Sequence, residues 1–578
     1  MTRTLLDWLD REPWHYWSIA LLTTVAWTVT LLIDRDDRRW PRTWWLWSGA
    51  SVLLLLAWRW PFLVGPAIAN PDEAQMIAGA ITLKSYPIFW KYVDGTTHGP
   101  LADVPLLFAH AFGVPLSYGG ARFVGGMMMI GGWLLAARGL RHCGSFSAIR
   151  LGLAPVILLW VSISFYDFSG YTSEMPAIFF ALVAIWPLAS ALRSPELSIR
   201  QRASLLALGG ALLGCIPYAK IQGIPLGVAI GAVSLIAAWR RPARGRFVTA
   251  LLAGALAPSL FLAVYLIIWG LTQQFWLTYV LNNLLYADGG EFSWWWMISQ
   301  LWSWMDVAPG LQPAAGITIL AFLAALVVSC RWRPIRRPWL PADAPLLSRI
   351  RVRGFSLSPG GASRFLLAAV VVVAGVYCVL APRRFFAHYL QFLSVPLGAL
   401  GIVAWCELRF RMAKLSGRAE FAVLAILALL MASPLIVARL QRANPEMRGE
   451  WTRRQGEMRY PASIAIAQLA QPGDTMTVWG WMPYFYVETG LPQAARDGNT
   501  QRQIQGSMVE FYRQRYLWDL QRRLPRIFVD AVGGNNFGYN DRSPEHRHES
   551  FPLLRDFVAR HYFLAATVDG SRIYIRKQ

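Results

Sequence analysis

Apolar runs of close to 20 residues recur along the first three quarters of this 578-residue chain. Each is long enough to carry a helix through a hydrocarbon core of roughly 30 Å. Inside lipid every backbone N–H and C=O must be satisfied within its own segment, so runs of this kind can only be helices. They fall at 17–33, 44–64, 119–138, 148–165, 174–193, 203–218, 221–239, 247–271, 312–330, 364–381, 388–407 and 420–438. The pattern predicts a polytopic α-helical membrane protein with about twelve transmembrane helices. The first run has neither a basic start nor a small-residue cleavage site, so it reads as a span and not as a signal peptide. Composition excludes the soluble, disordered and fibrous alternatives: 55% of residues are hydrophobic and only 15% charged, against about 25% charged in soluble domains.

Orientation follows from the basic residues. Lys and Arg number 55 against 33 Asp and Glu, a formal charge of +22. In a soluble protein that excess would point to nucleic acid. Here it concentrates in alternate short loops: DRDDRRWPR (34–42), RGLRHCG (138–144), WRRPARGR (239–246), RWRPIRRP (331–338) and LRFRMAK (408–414). Such loops stay cytoplasmic, so no nucleic-acid partner is expected. The other set, 65–118, 166–173, 218–220, 272–311, 382–387 and everything after 439, then faces outward, as does the amino terminus. The expected location is the inner (plasma) membrane, multi-pass, with the long loops on the periplasmic or extracytoplasmic side. The five cysteines have no CxxC spacing and imply neither a disulfide framework nor a zinc cluster.

The chain divides into a transmembrane module, 1–439, and a domain, 440–578, where strand and helix patterns replace apolar spans. Helices are expected at 460–471, 505–523 and Phe551–Tyr562, and strands at Thr475–Trp479 and Arg526–Val532. A final hairpin, Phe563–Val568 with Ile573–Arg576, turns at Asp569-Gly570, a strong hairpin signal. This reads as an extracytoplasmic α/β domain with no nucleotide-binding loop. Within the module, the first large outer loop, 65–118, carries two short amphipathic stretches, around Asp72–Leu83 and Leu101–Phe112. The second, 272–311, carries Trp294-Trp295-Trp296, Trp302 and Trp304, which read as helices lying in the membrane interface.

Chemistry-bearing residues gather in these outward segments. Asp72 and Glu73 open a helix, where acids also complement the helix dipole. His98 sits in Thr97-His98-Gly99-Pro100-Leu101, just after Asp94, and Asp167 and Glu174 flank the next outer loop. Lys220 lies between two apolar runs, where an ionisable group is costly and faces a cavity or a partner. Arg383-Arg384 and His388-Tyr389 lie at the outer end of a span. Carboxylates, a histidine and cations on the outer face suit transfer of a sugar from a lipid-linked phosphate. The leaving phosphate needs cations to stabilise its charge, and the acceptor hydroxyl or amine needs a base.

Asp72-Glu73, Thr97-His98-Gly99-Pro100-Leu101 and Arg384-Phe385-Phe386-Ala387-His388-Tyr389 resemble, in order and sidedness, the GT-C membrane glycosyltransferases. The nearest likeness is to the bacterial protein mannosyltransferase-like and aminoarabinose transferase-like branch. The tail, with Gly473-Asp474, Val478-Trp479-Gly480-Trp481, Arg496-Asp497 and Ile573-Tyr574-Ile575-Arg576, is similar to the outer domain of some of those proteins. The resemblance implies a GT-C-like bundle and an inverting transfer from a polyprenyl-phosphate sugar to an extracytoplasmic lipid, glycan or protein. By position it implies Asp72 as catalytic base with Glu73 beside it, and Lys220, Arg383, Arg384 and His388 on the donor phosphate. His98, Asp94, Asp167, Glu174 and Tyr389 would line the substrate site. No cofactor is required. Some relatives hold a divalent metal, to which Glu73, His98, Asp167 or Glu174 would contribute, but no ligand spacing is recognisable. The extra span at 17–33 departs from the common pattern. The rival reading is a transporter or flippase that binds an anionic lipid with the same cations and does no chemistry; it predicts broken helices at the midplane and internal repeats, and neither is evident.

Overall fold

Helices in lipid lack a hydrophobic drive toward one another and associate through close backbone packing at small residues. Gly210 and Gly254 show this directly. A Cβ on Gly210 would lie 2.2 Å from the Leu251 carbonyl oxygen, and one on Gly254 2.0 Å from that of Ala207. The helices Ile199–Ala219 and Arg244–Trp269 therefore touch along their backbones. The computed structural model describes residues 13–33, 37–64, 70–163, 165–334, 353–357, 359–412, 460–533 and 543–578.

Every expected apolar run up to 407 is helical: Pro13–Leu32, Trp40–Val64, Tyr118–Leu140, Phe146–Ser162, Glu174–Arg193, Ile199–Ala219, Ile224–Trp239, Arg244–Trp269, Leu311–Ser329, Pro359–Leu380 and Ser394–Met412. Eight helices among the described residues are long and apolar enough to cross a membrane. The expected span at 420–438 and the expected boundary at 439–440 lie outside the described residues. The basic loop after 330 is shaped in part as a hairpin, Cys330–Pro334 pairing antiparallel with Arg353–Leu357. The additional first helix is fastened by polar contacts. Arg150 donates to the Thr30 and Ile33 carbonyls at its end. Asp37 accepts from the Phe146 and Ser147 N–H groups at 2.8 and 3.0 Å, capping the neighbouring helix.

The C-terminal segment folds as its local patterns predict. Met476–Trp479 runs parallel to Ile527–Asp530, which pairs antiparallel with Ser571–Arg576, and Tyr562–Val568 completes the sheet at its edge. Asp569 and Gly570 both take positive φ, +48° and +79°, as a two-residue hairpin turn of the right twist demands. Helices Pro461–Leu469, Val509–Arg523 and Pro552–His561 match the expected ones within a few residues.

What the pattern did not predict is how this domain meets the bundle. The first amphipathic stretch is the helix Pro71–Ser85, and it is buried on both sides. Met76, Ile77, Ala80 and Ile81 join the core of the bundle, whereas Ala74 and Ala78 join the core of the C-terminal sheet with Met476, Val478 and Ile527. A helix with one polar side by sequence is thus roofed over.

The roof is held by charge. Asp94, from the first outer loop, pairs with Arg515 at 2.7 Å and Arg502 at 3.2 Å, and Asp497 pairs with the same two arginines at 2.5 and 2.8 Å. Backbone pairing runs alongside, with Asp94 N–H donating to the Arg496 carbonyl at 2.8 Å. The two guanidinium groups hold the Asp94 carboxyl well below the usual carboxylate range. Removing one member of a buried pair strands the others, at a cost of about 3–5 kcal/mol. Arg515→Met is expected to expose the junction between the first outer loop and the C-terminal domain to limited proteolysis and to lower the thermal midpoint. Wild-type protease resistance in that variant would show that the network does not carry the docking.

Candidate functional site

Asn70 caps the helix Pro71–Ser85: its side-chain oxygen accepts from the Asp72 N–H at 2.8 Å, and Pro71 occupies the first turn. Because Asn70 does the capping, the Asp72 carboxylate is released from that duty. The Asn70 amide also donates to Asp167 Oδ1 at 2.7 Å, joining the helix start to the outer loop at 166–173.

Around Asp72 the chain assembles a small charged cluster. His388 Nδ1 lies 3.5 Å from Asp167 Oδ2. Lys220 Nζ lies 3.1 Å from Glu174 Oε1 and donates to Ser173 Oγ at 2.9 Å and Thr97 Oγ1 at 3.2 Å. Gln391, held by Thr172 at 2.9 Å, donates to the Asp167 carbonyl. Asp72 keeps some contact with solvent, but surrounding packing removes most of the water from its carboxyl. That desolvation pushes its pKa up; His388 and Lys220 pull it down, and Asp167 and Glu174 push it up again. The result is a carboxylate that holds its proton more readily than an ordinary one, facing a lysine and a histidine.

The loop that delivers Thr97 is set by backbone contact. His98 bridges antiparallel to Lys220, and Gly99 N–H donates to the Ala219 carbonyl at 3.0 Å. A Cβ on Gly99 would fall 2.3 Å from the Tyr218 carbonyl oxygen, so only glycine allows this approach.

Of the residues singled out from sequence, Asp72, Asp167, Glu174, Lys220 and His388 come together, and Tyr389 is beside them, its hydroxyl 2.9 Å from that of Tyr286. Others are drawn elsewhere. Glu73, expected to share the base's work, faces the opposite way: Arg122 donates to it at 2.8, 3.1 and 3.2 Å and the Tyr171 N–H at 2.8 Å. It is a buried anchor. His98 turns to Asp103, 3.4 Å away, and Asp94 belongs to the domain junction. Arg383 donates to the Ala287 and Asp288 carbonyls. Arg384 pairs with Glu291 at 2.5 Å, donates to the Gly289 carbonyl at 2.8 Å and lies 4.7 Å from the Tyr286 ring centroid.

The suggested metal ligands therefore separate. Glu73 and His98 leave for Arg122 and Asp103, and Glu174 is neutralised by Lys220. This set does not fit a divalent ion. A second group, Asp530, His548 and Glu549 in the C-terminal domain, has ligand-like spacing. Arg572 occupies it, however, pairing with Asp530 and with Glu549 at 2.8 and 2.7 Å.

Next to the charged cluster opens a cavity of about 420 Å³ walled by Phe165, Tyr166, Trp296, Trp304 and Phe385, with Asp167 at its polar edge. Trp296 and Trp304 come from the expected interfacial helix, Trp294–Trp304. Sequence reasoning missed Arg122, although the signal that marked Lys220, a charge inside an apolar run, marks it equally. Because Glu73 is an anchor, Glu73→Gln should leave Arg122 half-unpaired and lower the thermal midpoint, about 3–5 kcal/mol being at stake. Asp72→Asn should melt within a degree or two of wild type. Equal melting of both variants with wild type would remove the anchor role.

No protein-family model matches the chain, and no curated protein matches it. Among solved structures, ArnT from Cupriavidus metallidurans bound to undecaprenyl phosphate aligns over 92% of this chain and 97% of its own, with a TM-score of 0.53 at 15% identity. The apo form of the same protein aligns over 92% and 98%, with a TM-score of 0.54 at 13% identity. Over nearly its whole length the chain thus has the fold of ArnT, an aminoarabinose transferase of the GT-C superfamily.

Proposed function

We propose that the protein is a membrane glycosyltransferase that moves a sugar from a polyprenyl-phosphate donor to an extracytoplasmic acceptor. The observation that carries this reading is Asp72: a carboxylate with its pKa raised by burial, beside Lys220 and His388, in a fold whose solved example holds undecaprenyl phosphate. A general base works best when its pKa approaches the working pH, and desolvation moves Asp72 in that direction.

In this reading the donor phosphate meets the cations, and its prenyl chain continues into lipid. The aromatic cavity beside Asp167 is apolar enough for an isoprene unit next to the phosphate. The acceptor hydroxyl or amine attacks the anomeric carbon from the face opposite the phosphate, and the configuration inverts. Asp72 takes the acceptor's proton. The sugar–oxygen bond breaks, and its electron pair leaves on the phosphate, where Lys220 and His388 offset the charge. Arg384 joins them once it exchanges Glu291 for a phosphate oxygen, since its planar fork suits either anion. Asp167 and Glu174 keep His388 and Lys220 in place. Transport without chemistry gives no role to a base of raised pKa.

Purified protein supplied with polyprenyl-phosphate sugars and candidate acceptors should release free polyprenyl phosphate. Asp72→Asn should slow release by about 10²–10⁴-fold while retaining donor binding; release at the wild-type rate would sink the base assignment. The wild-type rate should rise with pH as Asp72 loses its proton, with a midpoint above the value near 4 of an ordinary carboxylate. A flat profile across that range would refute the role of this group. Arg384→Gln should raise the donor KM by about tenfold or more at similar kcat, the scale of a lost hydrogen bond to a charged group. An unchanged KM would leave Arg384 a purely structural partner of Glu291.

A further inference from the structure

The helix Arg244–Trp269 carries Arg244 and Arg246 at one end and, at the other, the exposed apolar side chains Ile267 and Ile268 followed by Trp269. From Trp269 a series of rings and cations runs outward without a break. Lys91 Nζ lies 5.4 Å from the Trp269 ring centroid and 5.5 Å from that of Tyr92. Arg523 lies 4.2 Å over Tyr92 and 5.9 Å from Tyr86, and the two tyrosines stack at 5.1 Å. On the same helix of the C-terminal domain, Val509–Arg523, Arg522 lies 5.1 Å over the exposed Trp518.

Two properties set this series apart from the ring of tryptophans that any membrane protein places at the interface. Among the described residues its cations form no ion pair: Asp519, the carboxylate acting on Arg523, is already taken by Arg496 through two hydrogen bonds of 2.7 and 2.9 Å. The series also begins on a lipid-facing helix end and finishes on a domain outside the bundle. Arg523 spends N–H groups on the Lys91 and Gln493 carbonyls, at 3.1 and 3.4 Å, and so ties the two segments together, whereas Lys91 and Arg522 rest against ring faces and keep their charge toward the surroundings. At headgroup depth the complementary charge is the lipid phosphate.

We propose that Lys91 and Arg522, with the rings they rest on and Arg523 joining their two segments, form a docking surface for the anionic phospholipid headgroups of the adjacent leaflet. The surface seats the C-terminal domain on the bilayer and holds it over the helix Pro71–Ser85. The inference does not depend on the transferase reading, and its test uses no turnover.

Full-length protein is placed in nanodiscs of phosphatidylcholine alone or with about 30% phosphatidylglycerol, an anionic fraction at which basic residues sense the surface. Amide hydrogen exchange is followed over 84–92 and 518–523. Exchange there should slow severalfold only with phosphatidylglycerol, and about 0.5 M salt should reverse the effect by screening. Lys91→Gln/Arg522→Gln should weaken the lipid dependence by about fivefold per cation, whereas Lys91→Arg/Arg522→Lys should keep it. Arg555→Gln, on an exposed helix elsewhere in the domain, should behave as wild type. Equal protection in the two lipids overturns the proposal and leaves an ordinary aromatic belt. So does a lipid response that survives in the double glutamine variant.

Discussion

The Glu73–Arg122 ion pair decides where the rest of the site falls. A carboxylate and a guanidinium removed from water are tolerable only if each finds full partnership. Here the partnership draws in three separate segments: the helix Pro71–Ser85, the span Tyr118–Leu140 and the outer loop whose Tyr171 N–H completes the Glu73 shell. Fixing Glu73 turns its neighbour Asp72 to a different face, because successive residues on a helix project about 100° apart. Tyr171, held on Glu73, lies in the loop between Asp167 and Glu174. The charged cluster is therefore a consequence of an anchor that takes no part in it.

Lipid makes some features legible and leaves others dark. The spans could be read because a bilayer accepts few alternatives to a long apolar helix, and the final hairpin could be read because Asp569-Gly570 is a local signal. Asp72 and Glu73 could not be told apart, since adjacency in sequence does not say which side of a helix is covered. Which side is covered depends on Arg122, 49 positions away from Glu73, and on the C-terminal sheet, whose contacts cross more than 400 positions, as in Thr82 with Gln493. His98 shows the same limit. Its loop was marked by Thr97 and Gly99, but the residue that meets Lys220 with a side chain is Thr97, while His98 contributes backbone and turns its ring to Asp103. Arg383 and Arg384 were conspicuous as cations on an outward segment, and nothing local announced Glu291 or the carbonyls that hold them.

Charge balance then shapes what the site can do. Asp72, Asp167 and Glu174 face Lys220 and His388, so the cluster by itself does not offer a strongly positive field to a phosphate. The cations are stabilised in place by the acids, so the cluster is close to charge balance without any bound anion. Arg384 follows the same logic one step outward, its planar group paired by Glu291. Cations placed this way are not left unpaired at the membrane boundary, where each would be costly.

The C-terminal domain acts on the other side of the same helix. Ala74 projects about 200° from Asp72 around the helix axis, so the side that the sheet covers is turned away from the charged cluster. The domain, tied to the first outer loop by Asp94 on Arg502 and Arg515, covers that side of the helix, and none of the groups acting on Asp72 comes from it. What the domain supplies to the site is the position of the helix Pro71–Ser85, packed between the bundle core on one side and the sheet on the other.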